Sequence, residues 1–404
     1  MSQQVAEELS TEELLAQAEQ SLIYIVTRPQ EVMVRGKGSY IWDSRGREYL
    51  DFIQGWAVNC LGHSPRVLVN ALNRQAREMI NASPYLFNRP MIELAGLLTA
   101  NSCLDRVFFA NSGAEANEGA LKLARKYGQK HLGGAYEVIT TYNGFHGRTL
   151  AMMSASGKTA WDGLFEPKVP GFRRVHFNKL NEVRKSITPK TCAIMVEPVQ
   201  GEAGVFVASK SFMKGLRQLC DDHGILLILD EIQTGLGRTG SMFAYEQYGI
   251  EPDIMTLGKA LGGGFPVSAL LAKDHVCVFD AGDQGGTFCA QPLAMTAGLT
   301  VVRELLHRNI PRRAASRGRV LKRHLKALGE KHGFREIRGR GLLMAVELHA
   351  EKGPEIVAEA FRQGLIINSP RPTTLRFMPS LLVSNAEIGR MAEILDGVLT
   401  QVLR

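Results

Sequence analysis

The 404-residue chain is 45% hydrophobic and 22% charged, enough to bury a substantial core in two or three domains, which excludes a disordered or fibrous protein. Its six cysteines (Cys60, Cys103, Cys192, Cys220, Cys277 and Cys289) form no C-x-x-C pair, which argues against a zinc ribbon or disulfide framework and for reduced thiols in the cytoplasm. Much of the net charge of +8 gathers in 303–340, where Val320, Leu321, Leu325 and Leu328 recur at helical spacing; a solvated basic helix face explains it without nucleic acid, and the excess can still attract anionic substrates.

The first residues, MSQQVAEELSTEELL, are acidic and lack an apolar core, against a secretory or mitochondrial leader. Ser10 and Glu13 have capping-box spacing for a short helix through about Ser21. Turn signals at Gly36-Lys37-Gly38 and Asp43-Ser44-Arg45-Gly46 then divide β-rich runs into a small antiparallel meander.

From about 66 to 290, nearly continuous apolar runs alternate with helical stretches: RVFFAN (106–111), YEVITTY (136–142), CAIMVEPV (192–199), ILLILDE (225–231), DIMTLGK (253–259) and SALLA (268–272). Such runs are strands covered on both faces, as in a mostly parallel, doubly wound α/β sheet. The densest, ILLIL, is too short to span a bilayer, so no membrane contact is expected. Long helical patterns follow, then β signals at GRGLLMAVEL, LIINSP and TLRFMP and a closing helix from about Asn385 to Val402. The expected division is 1–65, a helix and meander packing with the small domain; 66–295, a large domain; and 296–404, a smaller α+β domain.

Gly235, Gly237 and Gly240 match G-x-G-x-x-G, but polar residues separate them from the strand, little helix precedes Pro252, and Glu251 and Asp253 come too early for a ribose acid. Gly258-Lys259 lacks the upstream glycine and following Ser/Thr of a P-loop. What remains is Asp230 at the end of one buried strand and Lys259 at the end of another. A carboxylate there is costly without a positive partner, and the carboxyl ends of parallel strands line the ligand crevice. A pyridinium nitrogen on Asp230 and a Schiff base on Lys259 would satisfy both, the requirement of pyridoxal 5'-phosphate. Ser112, Gly113 and Ala114 open a helix after VFFAN, where free N–H groups can hold a phosphate; an ordinary capped helix is the plain alternative.

FFANSGAEANEGALKLAR, FHGRTL, EPVQGEAGV, LILDEIQTGLGRTG, TLGKALGGGFP and LRFMPSL together resemble the class III aminotransferases, fold type I pyridoxal-phosphate enzymes, and most closely the acetylornithine/ornithine branch. The resemblance spans nearly the whole chain. It implies that Lys259 is the Schiff-base lysine, that Asp230 holds the ring nitrogen protonated, that Gln233 lies near the ring hydroxyl, and that Phe145 stacks on the ring. It further implies that Thr287 reaches the phosphate of a neighbouring subunit, making a homodimer with shared active sites.

By the same resemblance Arg148 grips a substrate α-carboxylate, Arg376 grips the distal carboxylate of 2-oxoglutarate or glutamate, and Glu202 masks Arg376 when an amine substrate binds. For each of these three, a structural salt bridge is the alternative from the residues alone. The implied reaction moves the ω-amino group of N-acetylornithine or a similar ω-amino acid to 2-oxoglutarate by a ping-pong mechanism; succinylornithine, ornithine, 4-aminobutyrate and lysine are alternative donors, and an aminomutase or decarboxylase could share Asp230 and Lys259. The chain departs from the family pattern at Trp56 and Phe87, two pocket positions, and at Cys289-Ala290-Gln291, which replaces Gly-Gly-Asn. His63 and His146 are expected to be structural or to support site residues from behind, and no metal site is expected.

Overall fold

The computed structural model describes residues 9–403. The first helix runs Thr11–Ser21, and Ser10 and Glu13 close their capping box. The two turn signals link strands Met33–Lys37, Tyr40–Asp43 and Glu48–Asp51 into the antiparallel meander. Its edge is completed from the far end of the chain, where Leu365–Ile366 pairs parallel with Glu48–Asp51.

The central sheet has seven strands in the order Arg106–Ala110, Ser268–Ala272, Ile254–Leu257, Leu226–Asp230, Thr191–Val196, Glu137–Thr141 and Phe172–Val175. Only Ser268–Ala272 runs antiparallel to its neighbours. Every residue of Leu226–Asp230, Ile254–Leu257, Thr191–Val196 and Ser268–Ala272 is buried, which is why those segments carry apolar runs rather than alternation. The edge strand Phe172–Val175 was not expected: FRRV is half exposed and lacks such a run. CAIMVEPV also divides, because the strand ends at Val196 and Val199–Gln200 forms a separate small ladder with Phe206–Val207. Pro198 lies in the gap, where a missing N–H would leave a ladder bond unmade.

Helix Gly113–His131 crosses the sheet on a face of small residues, Ala116, Gly119, Ala120, Ala124 and Gly128 among them. A Cβ at Gly128 would collide with the Ala135 carbonyl, so this approach requires glycine. The glycine-rich turn after Leu226–Asp230 serves packing. Gly237 and Gly240, both at positive φ, lie against Pro311 and Ala315 of the long helix Ile310–His332.

The C-terminal part holds an antiparallel sheet ordered Glu336–Arg340, Leu343–Glu347, Thr374–Phe377, Asn368–Arg371. Ile310–His332 and the closing helix Asn385–Val402 pack together beside it, burying Leu321, Leu325, Ile388, Met391, Leu395 and Leu399. Each fully buried leucine contributes roughly 1.5–3 kcal/mol relative to exposure. Gln291, in the segment that departs from the family pattern, caps helix Pro292–His307 by accepting the Leu293 N–H at 2.9 Å.

Candidate active site

Strand Leu226–Asp230 delivers an acid into the interior: Asp230 is only 4% exposed. Its register partner on the neighbouring parallel strand is Thr256, and Lys259 stands just beyond that strand's end. Lys259 has φ 40°, a left-handed conformation that costs a non-glycine residue energy and is retained where geometry demands it. The acid and the amine thus face one crevice at the carboxyl ends of adjacent strands, where α/β sheets hold ligands.

Asp230 is fully supported. Its Oδ2 accepts from His146 Nδ1 and Asn117 Nδ2, both at 2.8 Å, and its Oδ1 accepts from the Ile232 N–H at 3.1 Å. Asn117 is itself locked, donating to the His146 carbonyl at 2.7 Å and accepting from Thr256 Oγ1 at 2.7 Å. Burial works to lower the His146 pKa, but the hydrogen bond and charge of Asp230 carry it above its ordinary value. His146 is therefore the residue that meets the buried Asp230 carboxyl directly, and its pKa is raised by that contact.

Asp230, His146 and Ile232 border a cavity of about 160 Å³ whose walls include Gly113, Ala114, Phe145, Glu197, Gln233 and Lys259. A larger groove of about 460 Å³ near Arg106, Cys277 and Phe279 contains no comparable acid and amine pair. Burial lowers the pKa of Lys259, and Arg376 adds to the effect, against the pull of Glu202 and Asp230. Glu197, whose Oε2 accepts the Phe145 N–H at 3.0 Å, is pushed up to about 8 by burial, with Asp230 adding to the rise.

The site fits a planar, phosphorylated cofactor. Gln233 Nε2 and His146 Nε2 are buried without a hydrogen-bond partner. A Cβ at Gly147 would fall 2.7 Å from Ala114 Cβ, and one at Gly113 would fall 2.8 Å from Ile232 Cδ1, so only glycine allows the walls to meet. Ser112 caps the helix through Glu115, and the N–H groups that open the helix at Gly113 and Ala114 are those a helix leaves without internal acceptors.

Arg376 and Glu202 form a second cluster. Arg376 is fully buried, and its Nε donates to Asn368 Oδ1 at 2.7 Å. Its Nη1 donates to the Gly201 carbonyl at 2.7 Å and to Glu202 Oε1 at 2.8 Å, while Nη2 has no partner. Burial raises the Glu202 pKa, but Arg376, Lys259 and Lys158 together hold the carboxyl below its ordinary value. The Trp56 ring lies 5.7 Å from the Arg376 guanidinium, carried on a left-handed turn in which Gln54, Gly55, Trp56 and Ala57 all have positive φ. Asp51 secures that turn: its Oδ1 accepts from the Ile53 and Gln54 N–H groups at 2.8 Å each, and its Oδ2 meets His63 Nε2 at 2.8 Å. Arg148 is exposed, has no ion pair among the described residues, and lies 5.9 Å from the Phe145 ring centre and 5.5 Å from that of Trp161.

The chain therefore brings Asp230, Lys259, Gln233, Phe145, Gly113, Ala114, Glu202 and Arg376 to one place, with Trp56 and Arg148 at its margin. Ser112 contributes its cap rather than a wall. Phe87 is 86% exposed and Thr287 is also exposed; neither lines the cavity. Sequence reasoning gave no role to Asn117, Glu197, Lys158 or Trp161. Glu197 and Asn117 lie inside the motifs EPVQGE and SGAEANE, where a carboxylate and an amide among buried residues are the available signal.

A lysine and an aspartate at the ends of adjacent parallel strands, with a helix N-terminus placed for an anion, define a pyridoxal-phosphate enzyme of fold type I. Residues 25–399 match the family model described as aminotransferase class-III. The chain is 54% identical over 386 residues to acetylornithine aminotransferase 2 of Bordetella bronchiseptica, covering 95% of this chain and 97% of that one. Among solved structures it resembles the ornithine aminotransferase of Toxoplasma gondii with a TM-score of 0.93, 31% identity and coverage of 98% and 96%. It also resembles the N-acetylornithine aminotransferase of Stenotrophomonas maltophilia with a TM-score of 0.83, 35% identity and coverage of 96% and 98%. The chain belongs to the class III aminotransferases and is a pyridoxal-phosphate-dependent transaminase, working between an amino donor and a keto acid.

Proposed function

We propose that this transaminase moves the ω-amino group of N-acetylornithine, or a similar ω-amino acid, to 2-oxoglutarate, giving a semialdehyde and glutamate in two half-reactions at one site. The observation that carries the reading is the unequal state of its two arginines: Arg148 is exposed and has no ion pair among the described residues, whereas Arg376 is buried and masked by Glu202 at 2.8 Å. An α-carboxylate can take Arg148 at any time, while a distal carboxylate takes Arg376 only by displacing Glu202. The names of the relatives and of the Stenotrophomonas structure support an acetylated donor.

When bound, pyridoxal phosphate supplies an electron sink and carries the amino group between half-reactions. Gly113 and Ala114, with the Ser112 turn, would hold its phosphate, Phe145 its ring face, Gln233 its hydroxyl and Asp230 its ring nitrogen. Lys259 Nζ would bind the cofactor covalently and, once freed, move a proton at the substrate's amine-bearing carbon. Its lowered pKa favours the neutral amine that this task needs.

The active unit in this reading is a homodimer, with Thr287 completing the partner's phosphate site and Phe87 at the shared pocket. Support comes from exposed apolar residues that a single chain leaves uncovered: Ile23, Tyr24 and Ile25 at 77–86%, Phe87 at 86%, and Phe288 at 62%. The division into 1–65, 66–295 and 296–404 belongs to the same reading, and the pairing of Glu48–Asp51 with Leu365–Ile366 supports joining the first part to the third. We place the enzyme in the cytoplasm, a reading supported by six free cysteines; no described helix is long and apolar enough to cross a membrane.

The test follows the absorption band of the bound cofactor. N-acetylornithine should abolish the band and 2-oxoglutarate restore it. A band that ignores N-acetylornithine and responds to ornithine would overturn the proposed donor.

A further inference from the structure

Glu202 lies within ion-pair range of two cations, Arg376 and Lys158, and Lys259 adds its charge from the same cavity wall. Glu202 Oε1 is hydrogen-bonded to Arg376 Nη1 at 2.8 Å, while its Oε2 stands 3.8 Å from Lys158 Nζ, inside ion-pair range and outside hydrogen-bond range. The Lys158 ammonium has no hydrogen-bond acceptor within reach among the described residues. It is half-buried over two aromatic faces, 4.7 Å from the centre of Phe145 and 5.2 Å from that of Trp161. Arg148 approaches the same two rings, so Lys158 shares its aromatic platform with one arginine and its carboxylate neighbour with the other.

That placement is costly for a lysine. Burial lowers its pKa, Glu202 works against the fall, and Arg148 and Arg376 repel the charge. A surface lysine would escape all of this by extending into water. An ammonium held close to a carboxylate but not bonded to it is suited to receive that carboxylate when it moves. If a dicarboxylate takes Arg376, Glu202 must give up its hydrogen bond while still largely enclosed. A carboxylate leaving Arg376 in that enclosure is stabilised by a second cation already within ion-pair range.

Resting on the reading of Arg376 and Glu202 as a gate, we propose that Lys158 is a positioning residue that receives the Glu202 carboxylate when a dicarboxylate acceptor occupies Arg376, and so sets how one site divides between ω-amine donors and dicarboxylate acceptors. Lys158 then acts through Glu202 without touching the distal carboxylate. Phe145 and Trp161 keep the ammonium in place by cation–π contact in both positions of the gate.

The experiment uses cofactor-loaded wild type, Lys158→Met, Lys158→Gln and Lys158→Arg, with each half-reaction followed separately by stopped-flow absorbance using N-acetylornithine and 2-oxoglutarate. Lys158→Met and Lys158→Gln should raise KM for 2-oxoglutarate and shift the donor-to-acceptor ratio of kcat/KM about tenfold towards the donor. Lys158→Arg should recover most of that ratio. In a Glu202→Gln background, adding Lys158→Met should leave the ratio within about twofold. Equal losses in both half-reactions, a loss confined to the donor, or a full effect without Glu202 would overturn the proposal. Failure of the underlying gate reading looks different: wild type would not recover its band with 2-oxoglutarate, or Glu202→Gln alone would leave the ratio untouched.

Discussion

Replacing His146 with leucine removes the positive partner of Asp230 while nearly keeping the volume of the ring. Asp230 retains donors from Asn117 at 2.8 Å and the Ile232 N–H at 3.1 Å, so its carboxylate stays buried but loses its counter-charge. Removing one partner of a buried ion pair costs about 3–5 kcal/mol. The His146 pKa is raised in the fold, so the charged pair contributes in full below the ordinary histidine value of 6.5, and that part is lost as pH climbs through the raised value. At higher pH the neutral ring still donates to a charged acceptor, leaving about 1.5–3 kcal/mol. Urea unfolding of the cofactor-free protein between about pH 6 and pH 9 should therefore show His146→Leu less stable than wild type by roughly 3–5 kcal/mol at the acid end, with the gap narrowing towards the alkaline end. A gap under about 1 kcal/mol, or one that widens with pH, would refute the assignment of His146 as counter-ion.

Lys259→Ala should abolish turnover and the covalent cofactor band while far-ultraviolet circular dichroism stays that of wild type; normal turnover would remove Lys259 from the mechanism. For Glu197 the sign is opposite to that of a salt-bridged acid. Its pKa is raised from 4.5 to about 8, so the fold holds a proton that the unfolded chain releases, and stability falls as pH rises through that window. Glu197→Gln cannot ionise, so its Tm minus that of wild type should grow between about pH 5 and pH 8 and then level off; a difference that shrinks with pH would show the carboxyl to be ionised in the fold. Dilution to monomer, followed by analytical ultracentrifugation alongside activity, should show the two declining together, whereas a fully active monomer would contradict the contribution of Thr287 to a partner's site.

The central strands were legible because burial on both faces leaves an unbroken apolar run, as in Leu226–Asp230, and because an acid closing such a run demands an explanation. The capping box at Ser10 was readable for a similar reason, since the spacing itself is the contact. Phe172–Val175 escaped because an edge strand with two arginines has no such signature. Asn117, His146 and Asp230 lie far apart in sequence, and their convergence depends on how a helix and two strand ends meet, which no local pattern encodes. Lys158 was invisible for a further reason. Its importance comes from what it approaches without bonding, and that is a property of three-dimensional distance alone.

The left-handed turn beneath Trp56 bears on attempts to retarget the enzyme. Gln54, Trp56 and Ala57 hold φ of 50°, 65° and 69°, and each non-glycine residue in that region costs roughly 1–2 kcal/mol. A designer who replaces Trp56 with glycine or asparagine would widen the space beside Arg376 and relax the main chain in the same step. A β-branched replacement would add strain to the loss of the indole. Libraries aimed at bulkier amines should therefore recover small, turn-tolerant residues at this position more often than pocket volume alone would select.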